Sequence, residues 1–435
     1  MENIVMEKVE TNTDKDSTTK DLVIYGYGKI GKAIKLLADR AKDINLYFTS
    51  QIFTVDTNGT AQFTDVSEIK DLPNDLIHII AIDTGITLDA TLPNGYIPDT
   101  AKVKELIEEI VSEREATKNF NDIIIIESTV EIGFYDSLKL KETYPNLILI
   151  ISPERYNEDV KHPDGFTMDK NKLVGVDMDL HDIHNDNSLV NSIEEYLNIF
   201  RGNDIATIIS PIKEVEASKV IENAYNYLRY SFVNDLQWNL GSKLDVEMIL
   251  SLAGTKTEKD LGELHPGLIG GGCIPIDSLY LPNIENTLIG KVVENENKRL
   301  HKISDMIFNL IEKSKLKQIA LMGASYKADS TSTKNSQYLK VLRLVNEKLA
   351  VTYSGINGNK DDAPKIYVLD NLSIDTPAEY FMKENLANFE LILIGANHLA
   401  EMGTDSNSST YRELAIQCGT NVFDLNTLAI YKKGN

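Results

Sequence analysis

The stretch Gly267-Leu-Ile-Gly270-Gly271-Gly272-Cys273-Ile-Pro275-Ile-Asp277 sets a cysteine in a glycine-dense loop, with a carboxylate four residues later. Glycines let backbone amides crowd around a ligand. A thiol in such a loop becomes a nucleophile when a nearby cation lowers its pKa. Asp277 can then hydrogen-bond a reacting oxygen or a water. A structural cysteine in a tight turn is the plainer reading of the same residues. A candidate cation lies upstream, in Glu216-Ala-Ser-Lys219-Val-Ile-Glu-Asn223. Lys219 and Asn223 share a face of a predicted helix and together can donate to an oxyanion. By themselves they also read as a solvated Lys–Asn pair. Cys418 has no comparable surroundings.

A second motif, Gly26-Tyr-Gly28-Lys29-Ile30-Gly31, follows a predicted strand and opens a predicted helix. That is the context of a dinucleotide fingerprint: a tight turn, close backbone approach to a pyrophosphate, and free amides at a helix start. Asp56 ends the next predicted strand, slightly further on than usual. A carboxylate there accepts the ribose hydroxyls and repels a 2′-phosphate, which favours NAD over NADP. Two polar runs, Glu127-Ser128-Thr129-Val130 and Ser152-Pro153-Glu154-Arg155, sit at predicted strand ends, where doubly wound sheets meet ligands. Taken singly, each reads as a cap or turn. His181-Asp-Ile-His184 has the spacing for a cation but reads as a solvated loop, and no metal is expected.

The elements that must position these groups alternate. Short apolar runs at Leu22–Tyr25, Ile52–Val55, Leu76–Ile82, Ile123–Glu127, Leu147–Ile151 and Lys172–Val176 alternate with helical stretches, which implies a parallel sheet. One helical stretch, Thr100–Thr117, puts Val103, Leu106, Ile107, Ile110 and Val111 on one face. From Glu214 to Leu240 there is no Pro or Gly, and helix signals resume at Asp245–Leu252 and Glu285–Ile311. Strands return at Gln318–Met322, Lys365–Leu369, Glu390–Ile394 and Asn421–Phe423. The fold class is α/β: two Rossmann-like doubly wound domains joined by a central long-helix domain. Boundaries are a solvated tail over 1–20, a dinucleotide domain over 21–210, a helical domain over 211–312 and a second α/β domain over 313–435.

Composition sets limits. Of 435 residues, 44 are Lys or Arg and 66 are Asp or Glu, a net charge of −22. Sequence-independent nucleic-acid binding needs the opposite balance. Anionic small ligands are still allowed, since backbone amides bind phosphate. No apolar run approaches the roughly 18 residues of a membrane helix, and the first residues carry no hydrophobic signal core. Two cysteines make a disulfide framework improbable. The expectation is a cytoplasmic protein with no membrane or nucleic-acid partner.

Together, the GYGKIG motif, Asp83-Thr84, ESTV, SPER, the Lys219/Asn223 helix, GGGCIPID and Gly323-Ala-Ser-Tyr326-Lys327 resemble the UDP-glucose/GDP-mannose dehydrogenase family, in order from about Leu22 to Asp424. The resemblance implies an N-terminal NAD domain contacted through Gly26, Gly28, Lys29, Ile30, Gly31, Asp56, Thr84 and Thr129. It implies a homodimer built on the central helix, a C-terminal domain for a UDP-sugar, and a place in polysaccharide or capsule biosynthesis. The implied reaction oxidises a sugar C6 alcohol to the acid with NAD. Cys273 forms a thiohemiacetal and then a thioester, Lys219 and Asn223 stabilise oxyanions, and Asp277 handles the proton with Thr129 and a water. Glu158 activates the hydrolytic water, with Glu154 structural or assisting. Arg155, Lys327 and the 266–270 loop, including Gly267 and Gly270, face the substrate with Glu154, Lys219 and Asn223.

The chain departs from the family's pattern at Gly85, where Pro is usual, and at Gly272, where His or Ser is usual. Lys334 and Leu425 stand where Arg is usual; the former change loses a bidentate fork. Cys-Ile-Pro-Ile-Asp is closer to the UDP-N-acetylhexosamine branch, while Glu158 keeps UDP-glucose open. A single-oxidation hydroxy-acid dehydrogenase and a non-catalytic nucleotide-sugar-binding protein are the other readings.

Overall fold

The computed structural model describes residues 4–6, 20–43, 51–72, 75–88, 96–115, 122–139, 147–156, 171–177, 187–200, 206–241, 243–255, 264–354, 363–374, 376–400 and 409–432. The chain divides into two compact units, Met1–Glu222 with Tyr280–Pro282, and Asn223–Leu279 with Asn283–Asn435. The first division falls inside one long helix.

The first unit holds strands β1 (Ile4–Met6), β2 (Asp21–Tyr25), β3 (Ile52–Val55), β4 (Leu76–Ile80), β5 (Gly85–Leu88), β6 (Tyr96–Asp99), β7 (Ile123–Ile126), β8 (Ile148–Ile151), β9 (Asn171–Val176) and β10 (Ala206–Pro211). Eight of them form one sheet in the order β1-β10-β9-β8-β7-β4-β2-β3. From β3 to β8 every pairing is parallel. The sheet then reverses: β9 meets β8 antiparallel, and β10 runs parallel to β9. It is therefore mixed, where strand–helix alternation alone predicted a parallel one. β5 and β6 pair separately as a hairpin.

Alternation explains the core. In β2, Leu22 and Ile24 face one apolar cluster, and Val23 and Tyr25 face the other. β7 splits its four isoleucines the same way. Both faces are covered, so the strands read as unbroken β-branched runs. Helix α1 (Lys29–Asp43) covers one face with Ala33, Ile34, Leu37 and Ala38. Helix α2 (Ala101–Glu115) covers the other with Val103, Ile107, Ile110 and Val111. Each Val, Leu or Ile among these contributes about 1.5–3 kcal/mol of burial. One expectation is corrected here. Ile4–Met6 lie within the stretch read as a solvated tail, yet they pair antiparallel with β10. Ile-Val-Met is a β-prone apolar run, and β10 otherwise presents an open edge.

After the short helices α3 (Phe134–Leu138) and α4 (Asn187–Leu197) comes α5 (Ile212–Leu240). The second unit contains most of α5, then α6 (Val246–Gly254), α7 (Ile274–Asp277) and α8 (Leu288–Ser314). Its sheet is built from β11 (Gln318–Met322), β12 (Lys365–Leu369), β13 (Leu391–Ile394), β16 (Asn421–Asp424) and β17 (Ile430–Tyr431), in the order β12-β11-β13-β16-β17. The first four are parallel and β17 is antiparallel. The two-residue strands β14 (Leu399–Ala400) and β15 (Ser409–Thr410) pair apart. Helices α8 and α9 (Gln337–Tyr353) bury Leu300, Ile303, Ile307, Val341 and Val345 against one sheet face. Leu414 and Ala415 of α11 (Tyr411–Gln417, after the four-residue α10, Lys383–Leu386) pack on the other. Cap side chains fix the ends: Thr287 accepts from Gly290 N, Ser336 from Leu339 N and Thr410 from Glu413 N.

Candidate active site

In the first unit the glycine loop between β2 and α1 divides its labour. Gly26 has φ +87°, and a Cβ there would stand 2.4 Å from the Ala81 carbonyl oxygen. A Cβ on Gly31 would stand 2.0 Å from the Gly26 oxygen, so only glycine lets the helix close on the turn. Nothing lies within 4 Å of a Cβ on Gly28. The middle glycine therefore keeps space open rather than relieving a clash, as a pyrophosphate over the helix N-terminus requires. Asp56 accepts from Tyr27 N at 2.6 Å and Asn58 N at 2.9 Å, which fixes the acid against the loop. Lys29 stands over the Tyr156 ring, and half-buried Ile30 packs on the core. These residues fit a dinucleotide.

The other strand ends are tied together from beneath. Thr84 Oγ1 donates to the Thr129 carbonyl at 2.9 Å, so two predicted cofactor residues meet. Thr129 and Ser128 are buried, and Ser128 Oγ donates to the Ile82 carbonyl. Below them sits a group that sequence reasoning missed. Glu127 is fully buried and takes hydrogen bonds from Lys172 Nζ at 2.6 Å and from Tyr196 OH. Burial pushes its carboxyl up, and Lys172 opposes the shift. Glu154 N donates to the Glu127 carbonyl, and Glu154 Oε2 accepts from Tyr156 N. Arg155 pairs with Glu222 at 3.3 Å.

Glu216 anchors the first turns of α5. Its two oxygens accept from Gly133 N and Tyr135 N, at 2.7 and 2.8 Å. Burial raises its carboxyl, and these two bonds oppose that. Lys219 lies nearly one turn further along, buried rather than solvated. Asn223 follows one turn later.

In the second unit Asn223 Nδ2 donates to Asp277 Oδ2 at 2.7 Å, and both are buried. Asp277 N in turn donates to the Cys273 carbonyl at 2.8 Å. Cys273 is exposed at the start of α7. A nucleophile candidate, a buried carboxylate and an amide donor are thus linked. Two of the preceding glycines are sterically required. A Cβ on Gly270 would stand 2.8 Å from the Asn335 oxygen, and Gly271 (φ +89°) would meet the Tyr326 ring at 2.8 Å. Lys327 is half-buried, with its ammonium over that same ring. Gly267 N donates to Asn234 Oδ1. Asn234 also donates to the buried Glu296, which Ser231 and Arg299 hold as well. Sequence patterns did not reveal this support, because its members share no local spacing.

Two departures from the expected pattern are neighbours. A Cβ at Gly272 would stand 3.6 Å from Lys334 Cε and 3.7 Å from its Nζ. The absent side chain at 272 leaves the lysine room beside the cysteine loop. Leu425 is a core residue, buried against β13 and α9, and so takes over no arginine's polar contact. Cys418 is half-buried and bonds the Ala415 carbonyl. Glu158, His181 and His184 lie outside the described residues. Among the described residues no group of three or more His, Cys, Asp or Glu could hold a metal, and no helix is long and apolar enough to cross a membrane.

Residues 213–294, which carry Lys219, Asn223, Cys273 and Asp277, match the model of the UDP-glucose/GDP-mannose dehydrogenase family, central domain. This segment of the chain is similar to that family's central domain. Relatives in sequence include Protein CapL of Staphylococcus aureus, 28% identical over 50% of this chain and 50% of CapL. Another is a UDP-N-acetyl-D-glucosamine 6-dehydrogenase of Pseudomonas aeruginosa, 28% identical over 31% of this chain and 34% of the relative. The chain thus aligns with half or less of these relatives' lengths. The fold is that of a UDP-glucose dehydrogenase from Pyrobaculum islandicum, with TM-score 0.69, 16% identity, and 95% of this chain and 96% of that one covered. It is also that of the UDP-N-acetyl-mannosamine dehydrogenase Cap5O from S. aureus, with TM-score 0.63, 17% identity and coverage of 87% and 89%.

Proposed function

We propose that this chain is an NAD-dependent nucleotide-sugar 6-dehydrogenase that converts a UDP-N-acetylhexosamine, of the mannosamine or glucosamine series, to its uronic acid. One observation carries the reading: the linked set of exposed Cys273, buried Asp277 and Asn223. A single-oxidation dehydrogenase has no use for this cysteine.

Gly26, Gly28, Gly31, Asp56, Thr84 and Thr129 would hold NAD⁺, and two successively bound NAD⁺ would supply the hydride acceptor for the two oxidations at C6. The chain's own groups do the rest. Asp277, through a water, takes the C6 hydroxyl proton as the aldehyde forms. The Cys273 thiolate adds to the aldehyde carbon and makes a C–S bond. Lys219 and the second N–H of Asn223 donate to the oxygen that gains charge. Loss of the second hydride leaves a thioester. Glu158 activates water, which adds to the thioester carbon; the C–S bond breaks, the thiolate leaves, and the acid is released with its proton passed to solvent. The covalent bond keeps the reactive aldehyde from escaping between oxidations.

Lys327 and the loop carrying Gly267 and Gly270 bind the UDP-sugar, assisted by Glu154 and Arg155. The chain acts as a homodimer through α5, which exposes Ile221, Tyr225 and Phe232 (54, 60 and 53%) along one face. The reading places the chain in the cytoplasm and in polysaccharide or capsule biosynthesis.

The test is a panel of UDP- and GDP-sugars with saturating NAD⁺, followed by absorbance. Turnover is expected with UDP-N-acetylhexosamines. Preference for UDP-glucose would move the protein to that branch. Binding without reduction of NAD⁺ by any sugar would make it a non-catalytic homologue.

A further inference from the structure

The second unit contains a buried imidazole outside the cysteine chemistry. His398 has no exposed surface, and neither do Ser325 and Asp370 around it. Its Nδ1 lies 2.8 Å from Asp329 N, and a backbone N–H can only donate. Nδ1 is therefore an acceptor, and the ring proton sits on Nε2. Nε2 lies 2.8 Å from Ser325 Oγ and 3.3 Å from Asp370 Oδ2. Ser325 spends its own proton on the Lys327 carbonyl at 2.8 Å, so its oxygen accepts from the imidazole. This is not a hydrolase triad: the serine is sealed in, and its proton points to backbone.

The four bonds form a directional chain: Asp329 N–H to Nδ1, Nε2–H to Ser325 and Asp370, and Ser325 O–H to Lys327. Three of them end on the loop 323–329, and the fourth ties the ring to Asp370 just after β12. Asp370 adds to the clamp by accepting from Ala324 N at 2.7 Å. Burial works to raise the Asp370 carboxyl, but hydrogen bonds from His398, Ser373 and Ala324 outweigh it and hold the group well below its ordinary value. The loop needs holding. Asp329 sits at φ +56°, a left-handed conformation a non-glycine residue adopts at a cost, and its N–H is the one His398 receives. Also near the ring are the Asp329 carboxylate, 3.9 Å from Nδ1, and the Tyr411 ring, edge-on at 5.2 Å.

We propose that neutral His398, in the Nε2–H tautomer, is a positioning residue that latches loop 323–329 and thereby sets Lys327 for the sugar nucleotide. The second half rests on the functional reading above, in which Lys327 contacts the UDP moiety. The imidazole is suited to this work because one ring accepts from the strained end of the loop and donates to its start.

Three measurements on the full-length protein test the latch, with UDP as the probe ligand. Long-range ¹H–¹⁵N correlation of histidine-labelled protein, assigned with His398→Gln, is expected to show the Nε2–H tautomer. An Nδ1–H tautomer overturns the proposal. In His398→Ala, amide exchange across 324–329 is expected to quicken and UDP affinity to fall at least tenfold, with NAD affinity unchanged. His398→Asn, whose side-chain oxygen can take the Nδ1 position, is expected to regain part of both and serves if the alanine variant does not fold. Unchanged exchange in both variants overturns the latch. If wild-type protein binds no UDP while exchange quickens in the variants, the latch stands and the nucleotide reading falls.

Discussion

Asn223 donates to Asp277 across 2.7 Å, joining a helix to the cysteine loop through two buried polar side chains. The bond orients the carboxylate and leaves the amide a second N–H, which the proposed function gives to the developing oxyanion. Asn223→Ala is expected to lower turnover about a hundredfold or more, the usual effect of losing an oxyanion donor. Steady-state kinetics decide this, and a near-normal rate would place Asn223 outside the site. The same substitution takes a donor from a buried carboxylate, so it should also cost about 1–3 kcal/mol of stability.

On the proposed function, the loop between β2 and α1 separates a glycine needed for folding from one needed for ligand. Gly31→Ala puts a Cβ 2.0 Å from the Gly26 oxygen and is expected to cost about 1–3 kcal/mol of stability. Gly28→Ala meets nothing within 4 Å and should leave the thermal midpoint nearly unchanged. It should still weaken NAD binding at least tenfold, because its methyl occupies the pyrophosphate's approach. Calorimetric titration with NAD and thermal denaturation separate the two effects. Equal NAD affinity in Gly28→Ala and wild type would remove the loop from cofactor binding.

Gly271→Ala combines positive φ with a clash at 2.8 Å against the Tyr326 ring. Tyr326 also underlies the Lys327 ammonium. The variant is expected to lose UDP binding and turnover while keeping NAD affinity, since the dinucleotide loop belongs to the other unit. Parallel titrations with UDP and NAD check the split.

An acid-sensitive pair lies under the first sheet. Arg114 Nε donates to Asp122 Oδ2 at 2.6 Å and its second arm reaches Oδ1 at 3.2 Å, with both side chains buried. Burial works to raise the Asp122 carboxyl, but bonds and charge from His78 and Arg114 hold it below its ordinary 3.8. A depressed carboxylate stabilises fully above that value, and its contribution drains away as pH falls through the lowered one. Asp122→Asn leaves Arg114 buried without its counter-charge and is expected to cost about 3–5 kcal/mol at neutral pH. Denaturant unfolding should find this gap narrowing as pH drops below about 4. A gap independent of pH would contradict the ion pair.

Much of this was legible in the chain. Gln318–Met322 and Lys365–Leu369 are strands at the limits the sequence predicts. β7 is another clear signal, because burial on both sheet faces demands unbroken β-branched residues. The glycine loops were readable because close approach at Gly26, Gly31, Gly270 and Gly271 permits no other residue. What stayed hidden lacks a period. β5 and β6 carry a Gly and a Pro inside short strands, which reads as loop. β1 is three residues among charges. The Glu127–Lys172–Tyr196 support, the Asn234 link to Gly267 and the His398 latch join residues far apart in sequence. No local spacing announces such pairings, and only tertiary structure brings the partners together.

The central claim is that Cys273 carries one sugar through two oxidations. Limiting UDP-N-acetylhexosamine with excess NAD⁺ should yield two NADH for each sugar consumed, with the uronic acid as sole product, and Cys273→Ser should bind NAD normally yet release no acid. One NADH per sugar, or undiminished acid from the serine variant, would contradict the account.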